Sequence, residues 1–132
     1  MGVIVKGGHR YGEGRRALVV GRHYYGELYE CNAEKLSNAD YIREVIINAS
    51  KVGGFTLLSV NAWYISPGVS AIGIVLESHI AIHTWPEYKF ATVDVYTCGD
   101  RADPLPAFRY IVEALEAKKY TLKYSSRNLE EP

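Results

Sequence analysis

The sequence predicts an α+β fold, an antiparallel sheet with two helices packed on one face, forming a two-layer sandwich. Two observations predict this class. Apolar residues recur at helical spacing in two separate stretches, whereas the rest of the body carries short strand-like runs bounded by turn residues. These segments follow the order strand, helix, several strands, helix, strand, so the strands are grouped, as in antiparallel sheets. At 132 residues the chain can bury one core of its own.

The first strand and the first helix are predicted in the amino-terminal half. Residues 22–31 form an aromatic, partly alternating run typical of a strand. A helix is expected from Ser37, because Asp40 stands at the capping position three residues later. The helix should end at Gly53-Gly54. Its apolar stripe, which requires a sheet to cover it, consists of Ile42, Val45, Ile46, Ala49 and Val52.

Four strands are predicted in the middle of the chain, over residues 55–64, 71–76, 78–84 and 90–97. The turn Ser66-Pro67-Gly68 separates the first two. Trp85-Pro86 ends the third, because proline cannot donate to a central ladder.

A second helix is predicted to begin at Asp103-Pro104, an N-cap acid followed by proline at the first helical position. A last short strand over 120–124 and a polar tail over 125–132 should follow. The buried stripe of this helix is predicted to be Phe108, Ile111, Val112 and Leu115.

Composition excludes several classes of protein. Hydrophobic residues make up 48% and charged residues 23%, which is typical of a folded globular domain. Fifteen basic and fifteen acidic residues cancel, which removes the electrostatic argument for a nucleic-acid partner. The sequence has neither an apolar stretch of about 18 residues nor a secretory signal, so we expect no membrane association. Two cysteines are too few for a secreted disulfide scaffold and favour the cytoplasm.

Residues 1–21 differ from the rest of the chain. This segment is rich in glycine and carries a single acid, Glu13. We therefore predict a mobile basic arm over 1–21, followed by one domain over 22–125. The basic residues of the arm are Lys6, Arg10, Arg15 and Arg16.

Ser78, His79, His83 and Cys98 are unexpected in sheet-forming segments. Burying an unpaired polar side chain costs about 1–3 kcal/mol. The residues alone leave three interpretations open. They could be satisfied polar groups of a sheet, a metal site formed by His79, His83 and Cys98, or a Ser–His or Cys–His acyl-transfer centre.

The run ESHIAIHTWPEYKFATVDVYTCG, residues 77–99, resembles without a gap the signature of the prokaryotic-type S-adenosylmethionine decarboxylases. These are small, self-cleaving, pyruvoyl-dependent enzymes, and the family includes archaeal arginine decarboxylases. Two upstream segments are also similar, Leu28-Tyr29-Glu30-Cys31 and Pro67-Gly68-Val69-Ser70. The resemblance extends over about residues 22–124 and leaves the basic arm outside it.

The resemblance implies that the chain cleaves itself between Glu77 and Ser78 into a β chain, 1–77, and an α chain, 78–132. The Ser78 hydroxyl would attack the Glu77 carbonyl carbon and convert the peptide bond into an ester. Elimination of the Glu77 carboxylate, followed by hydrolysis with loss of ammonia, would leave a pyruvoyl group at position 78. That group would form a Schiff base with the substrate amine and accept the electrons released by decarboxylation.

The resemblance also assigns roles to other residues and implies no metal. His83 would assist cleavage and act as a general base, Ser70 would support the cleavage intermediate, and Cys98 would donate a proton to the substrate carbon. Ser78 and His83 are five residues apart, so a regular strand would place them on opposite faces. The sequence leaves open whether the strand is distorted or the freed chain end turns toward His83.

For the substrate, the resemblance implies S-adenosylmethionine, with arginine as the alternative. The product of the first would supply the aminopropyl donor for spermidine, and the product of the second is agmatine. Tyr64 and Trp85 could bind the sulfonium and adenine, and Glu87 the ribose hydroxyls. The family also implies a cytoplasmic homodimer of cleaved protomers.

Overall fold

A computed structural model of the chain describes residues 17–130. The three helices are α1 (Ala33–Leu36), α2 (Ala39–Gly53) and α3 (Pro104–Ala114), and a 3-10 turn covers Pro86–Tyr88. The seven strands are β1 (Ala17–Tyr29), β2 (Leu57–Ile65), β3 (Gly68–Val75), β4 (Ser78–Trp85), β5 (Phe90–Cys98), β6 (Lys119–Tyr120) and β7 (Lys123–Glu130).

All strand pairs are antiparallel and form one sheet in the order β2-β3-β4-β5-β1-β6. β7 also pairs with β1, along its amino-terminal part, so β1 lies between β5 on one side and β6 and β7 on the other. The two long helices pack side by side, α2 against β2 to β4 and α3 against β5 and β1. The predicted α+β two-layer fold is therefore confirmed.

The core fills the space between the sheet and the helices. Alternate residues of β4 and β5 are buried, as expected when one sheet face is covered. α2 approaches β3 closely at Gly73, where a Cβ atom would lie 2.5 Å from Ile46 Cγ2. The largest fully buried side chains include Phe108, Leu28, Leu36, Ile42, Ile46, Ile80, Ile82, Ile111 and Leu115.

The sheet face that the helices leave uncovered is called the open face below. It carries the residues that alternate with the buried ones. On β4 these are His79, Ala81, His83 and Trp85, and on β5 they are Thr92, Asp94, Tyr96 and Cys98.

Two boundaries differ from the prediction. β1 begins at Ala17, so the predicted start of the domain at residue 22 falls inside a strand. The polar tail predicted over 125–132 is wrong for residues up to 130, which belong to β7. Their side chains show little apolar periodicity, and the strand forms because its backbone pairs with the long edge of β1. Residues 1–16 lie outside the described part, so the rest of the arm stays a prediction.

The helix starts are close to the predicted ones. α2 begins one residue later than expected, because Asn38 rather than Ser37 is its N-cap and accepts a hydrogen bond from the Tyr41 amide. The predicted start of α3 is confirmed, with the Asp103 carboxylate accepting from the Leu105 amide at 3.1 Å.

Candidate active site

Glu77-Ser78 lies at the tight turn from β3 into β4, next to the end of β5. The Glu77 carbonyl oxygen accepts a hydrogen bond from the Cys98 backbone N–H at 2.7 Å. The Ser78 Oγ lies 3.7 Å from the Cys98 Sγ. Ser78 and Cys98, called the cleavage pair below, therefore place a hydroxyl and a thiol beside a carbonyl that is already polarised by an amide.

The backbone of Ser78 departs from a regular strand. Its φ of 155° is unusual for a residue with a Cβ atom. Regular alternation would direct Ser78 toward the helices together with Ile80 and Ile82, yet its hydroxyl contacts Cys98, which is exposed. Of the two alternatives left by the sequence, the structure shows a distorted strand before any cleavage.

A second pair of polar side chains lies on β3 and β4. Ser70 and His83 are direct partners across the two strands, and His83 Nδ1 lies 2.9 Å from Ser70 Oγ. Which of the two donates depends on the histidine tautomer. This histidine pair borders a cavity of about 290 Å³, also lined by Trp85, Glu87 and the β2–β3 turn.

The structure brings together the members of each pair but keeps the pairs apart. Ser78 and His83 stand at opposite ends of the same strand, β4. At about 3.3 Å per residue, five residues separate them by roughly 16 Å. Direct proton transfer between the two pairs within one chain is therefore impossible in this arrangement.

Comparison with known proteins fits this geometry. The sequence profile of the family described as S-adenosylmethionine decarboxylase matches residues 22–128. The chain belongs to the S-adenosylmethionine decarboxylase family. This finding confirms the family that the run over 77–99 indicated.

Individual relatives cover most of the chain. A Sulfurisphaera tokodaii protein named S-adenosylmethionine decarboxylase proenzyme is 55% identical over 112 residues, which is 85% of this chain and 92% of the relative. A Pyrobaculum arsenaticum protein named arginine decarboxylase proenzyme is 52% identical over 114 residues, covering 83% and 86%. The crystal structure of the adenosylmethionine decarboxylase from Aquifex aeolicus superposes with a TM-score of 0.76 at 38% identity, covering 86% of this chain and 94% of that chain.

The two aromatic residues predicted to contact substrate lie in different places in this member of the S-adenosylmethionine decarboxylase family. Trp85 borders the cavity next to His83, and its ring lies 5.5 Å from that of Phe90. Tyr64 instead lines a depression at the start of α2, together with Ser37 and Asp40. Its neighbour Trp63 pairs in register with Ser70 and is 55% exposed. Trp63 was not among the residues predicted to contact substrate. Only the pairing of β2 with β3 reveals that Trp63 lies next to Ser70, and no local sequence pattern gives this pairing.

A group of aromatic and ionisable side chains lies on the open face next to the cleavage pair. His23 Nε2 lies 2.9 Å from Asp94 Oδ1, and the Tyr96 ring contacts both His23 and His79. Burial lowers the pKa of His79, the nearby His23 lowers it further, and Asp94 opposes them. His79 is therefore uncharged at neutral pH.

The two cysteines have different environments, and neither is in a disulfide. Cys98 is exposed on the open face, whereas burial in the core raises the pKa of Cys31 to about 11. Cys98 is thus the accessible thiol of residues 17–130, the part of the chain that the structure describes.

A metal site was one of the interpretations that the residues alone left open. Nowhere in residues 17–130 do three His, Cys, Asp or Glu side chains meet as a set of metal ligands, so His79, His83 and Cys98 do not form one here. Over the same residues, no helix combines the length and apolar character needed to cross a membrane.

Proposed function

We propose that this chain is the proenzyme of a pyruvoyl-dependent S-adenosylmethionine decarboxylase that cleaves itself between Glu77 and Ser78. The observation that carries the proposal is the geometry of the cleavage pair, in which the Ser78 hydroxyl and the Cys98 thiol converge beside the Glu77 carbonyl. The names of similar proteins, S-adenosylmethionine decarboxylase proenzymes, support the same activity.

Self-cleavage begins with attack of Ser78 Oγ on the Glu77 carbonyl carbon. The C–O bond forms first, and the Cys98 amide stabilises the negative charge that develops on the carbonyl oxygen of the tetrahedral intermediate. The C–N bond then breaks, and the proton of the serine hydroxyl passes to the freed nitrogen. The Ser78 α-proton then leaves together with the Glu77 carboxylate, and hydrolysis with loss of ammonia gives the ketone at position 78. Ser78 fits this role because its unusual φ turns its hydroxyl out of the covered face and toward Cys98.

The pyruvoyl group supplies the electron sink that decarboxylation of an amino acid requires. The residues of the chain provide the proton transfers. Cys98 holds a proton on Sγ, 3.7 Å from the present Ser78 Oγ, where it can protonate the substrate carbon after carbon dioxide leaves. His83, fixed by Ser70, is the general base.

In a homodimer, the cleavage pair and the histidine pair of different protomers can lie next to each other. When a second copy packs its open face on the first about a two-fold axis, the histidine pair of one protomer meets the cleavage pair of its partner. The support is that both pairs lie toward the open face at opposite ends of one strand, and that large side chains are exposed on it. The exposed or partly exposed aromatic residues there include Trp63, Trp85 and Tyr29.

S-adenosylmethionine is the preferred substrate and arginine the second candidate. Trp85 and Glu87 border the cavity of the histidine pair, where an aromatic ring and a carboxylate suit a cation with ribose hydroxyls. The same two groups also suit a guanidinium, and the arginine decarboxylase relative is almost as similar as the others. We place the enzyme in the cytoplasm, which the two unpaired cysteines favour.

Two measurements test this function. Freshly purified protein, incubated warm and examined by denaturing gel and intact mass, should give fragments 1–77 and 78–132, the latter blocked at its first residue. Release of carbon dioxide from labelled S-adenosylmethionine and labelled arginine, measured in parallel, should favour S-adenosylmethionine. A chain that stays whole and inactive contradicts the proposal, whereas preferential release from arginine replaces the substrate and keeps the mechanism.

A further inference from the structure

The Glu77 side chain is buried although it belongs to the residue at the scissile bond. It is 7% exposed, the lowest value for any acidic or basic residue among 19–130. No basic side chain forms an ion pair with it in the described part of the chain. A buried carboxylate is costly unless hydrogen bonds satisfy it, so its environment requires an explanation.

Thr56 provides the partners of this carboxylate. Its backbone N–H donates to Glu77 Oε1 at 3.0 Å, and its hydroxyl donates to Oε2 at 3.4 Å. The Thr56 carbonyl in turn accepts from the Leu76 amide at 2.8 Å. These three hydrogen bonds, called the Thr56 clasp below, fix the two residues that precede the scissile bond.

The Thr56 clasp acts together with the hydrogen bond from the Cys98 amide to the Glu77 carbonyl oxygen. The Thr56 clasp holds the side chain, and the Cys98 amide holds the carbonyl oxygen at 2.7 Å. With both ends of Glu77 fixed, the turn leaves little freedom for Ser78, whose φ is 155°. Strained backbone of this kind persists only where the surrounding contacts impose it.

We propose that the Glu77 carboxylate is a positioning residue for self-cleavage. Through the Thr56 clasp it holds the Glu77 carbonyl on the Cys98 amide and the carbonyl carbon next to the Ser78 hydroxyl. It takes no part as an acid or a base, and its effect is on orientation, to which intramolecular reactions are very sensitive. The inference rests on the proposed function, because self-cleavage is itself proposed.

The test compares cleavage rates of freshly purified wild type, Glu77→Gln, Glu77→Ala and Thr56→Val by denaturing gel and intact mass. Glu77→Gln keeps an acceptor oxygen for the Thr56 amide, so it should cleave within a few-fold of wild type. Glu77→Ala loses every side-chain bond and should slow cleavage at least about tenfold, the equivalent of one net hydrogen bond. Thr56→Val, which keeps the backbone donor at 3.0 Å, should lie between these two variants.

Hydroxylamine separates positioning from later steps, because it cuts an ester but leaves a peptide bond intact. If the clasp orients the first attack, added hydroxylamine should leave Glu77→Ala largely uncut. Melting curves of Ser78→Ala with and without Glu77→Ala should show that both variants fold, with a lower melting temperature for the double variant.

Three results overturn the inference: wild-type cleavage rates in Glu77→Ala, cleavage of Glu77→Gln as slow as that of Glu77→Ala, or wild-type rates of hydroxylamine cutting in Glu77→Ala. The second would assign the charge a chemical role. A wild-type chain that does not cleave is a different result, because it removes the proposed function itself.

Discussion

The cleavage pair and the histidine pair are built in opposite ways. Ser70 and His83 are ordinary neighbours in a regular ladder, and any protein with these residues in this register would bring them together. Ser78 and Cys98 meet only because the backbone leaves the strand geometry at Ser78. The first arrangement needs a register, and the second needs a turn held from both sides.

The comparison teaches how one short chain can contain two kinds of functional unit. The histidine pair holds the proposed base, His83, which needs only a regular pairing of two strands. The cleavage pair holds the proposed nucleophile, the Ser78 hydroxyl, against its own backbone, and this requires a conformation that the sheet alone would not adopt. Neither pair forms a complete site, which is why we propose that two copies of the chain share their pairs.

The largest expected effect comes from removing the Ser78 hydroxyl of the cleavage pair. Ser78→Ala should abolish both self-cleavage and carbon dioxide release, because only an ester on the side chain of residue 78 can undergo the elimination that leads to the pyruvoyl group. Gel, intact mass and activity check this outcome. Ser59→Ala, at an exposed serine of β2, is the matched control and should behave like wild type. A cut Ser78→Ala chain would contradict the role of Ser78.

The second prediction tests whether the two pairs act across protomers. His83→Ala and Cys98→Ala should each be nearly inactive alone, whereas their co-expression should restore about a quarter of wild-type activity, since random mixing leaves one intact site in half of the dimers. The His83→Ala chain should be cleaved only after co-expression, because only then does its partner supply an intact His83. Mass spectrometry should then detect the fragment 78–132 that carries His83→Ala.

Co-expression of His83→Ala with Ser70→Ala provides the control for this experiment. Both changes affect the histidine pair, so every mixed dimer has two damaged sites and should stay inactive. If activity recovers equally in both mixtures, or in neither, the active site is not shared between two protomers.

The third prediction separates the two roles of the cleavage pair. Cys98→Ala keeps the backbone amide that polarises the Glu77 carbonyl, so it should cleave at a rate close to wild type. Its turnover should fall by roughly a hundredfold or more, as expected for loss of a proton donor. Iodoacetamide should modify Cys98 first, because Cys31 is buried and its pKa is raised to about 11. Cys31→Ala is the control, and unchanged turnover in Cys98→Ala would clear Cys98 of this role.

A smaller effect is expected at the aromatic residues near the histidine pair. Trp85→Ala, at the aromatic ring that borders the cavity beside His83, should raise KM roughly three- to tenfold, as expected for the loss of about 1 kcal/mol of cation–π contact. Tyr64→Ala should change KM little, because its ring lies at the start of α2. Steady-state kinetics with S-adenosylmethionine decide between them, and the reverse order would restore Tyr64 as the substrate aromatic.

The smallest effect concerns His79, between the two pairs. Its folded-state pKa is lowered by burial below the ordinary value of about 6.5, so the unfolded chain takes up its proton first as pH falls. His79 therefore contributes its full stability above about pH 6.5 and loses it as pH decreases toward the folded pKa. Urea unfolding should show that the free energy of unfolding of Ser78→Ala decreases more between pH 7 and pH 5 than that of Ser78→Ala with His79→Asn. Equal losses would contradict the contribution of His79.

The sequence predicted the parts of the molecule that depend on local patterns. The stripe Phe108, Ile111, Val112 and Leu115 and the Asp103 cap followed from helical periodicity and capping chemistry. The family followed from a long gapless run. β7 was missed because its residues are polar and its only determinant is the β1 edge, more than ninety positions away in the chain.

The placement of the site residues depended on features that no local pattern contains. An irregularity in β2 between Leu57 and Ser59 shifts the register, and Trp63 rather than Tyr64 is the partner of Ser70. The distorted residue Ser78 contacts Cys98, and its neighbour Glu77 contacts Thr56, each about twenty positions away in the chain. Such tertiary effects become visible only in the folded chain.

The position of β1 has a consequence for the proposed cleavage between Glu77 and Ser78. The fragment 1–77 contributes β1, and the fragment 78–132 contributes β5 on one side of it and β6 and β7 on the other. The fragments are therefore interleaved and cannot separate without dismantling the sheet. Unfolding the intact chain is a reaction of one molecule, whereas regaining the structure from cut fragments requires an encounter between two and fails on dilution. The proposed cleavage therefore requires that the chain fold completely while it is still intact.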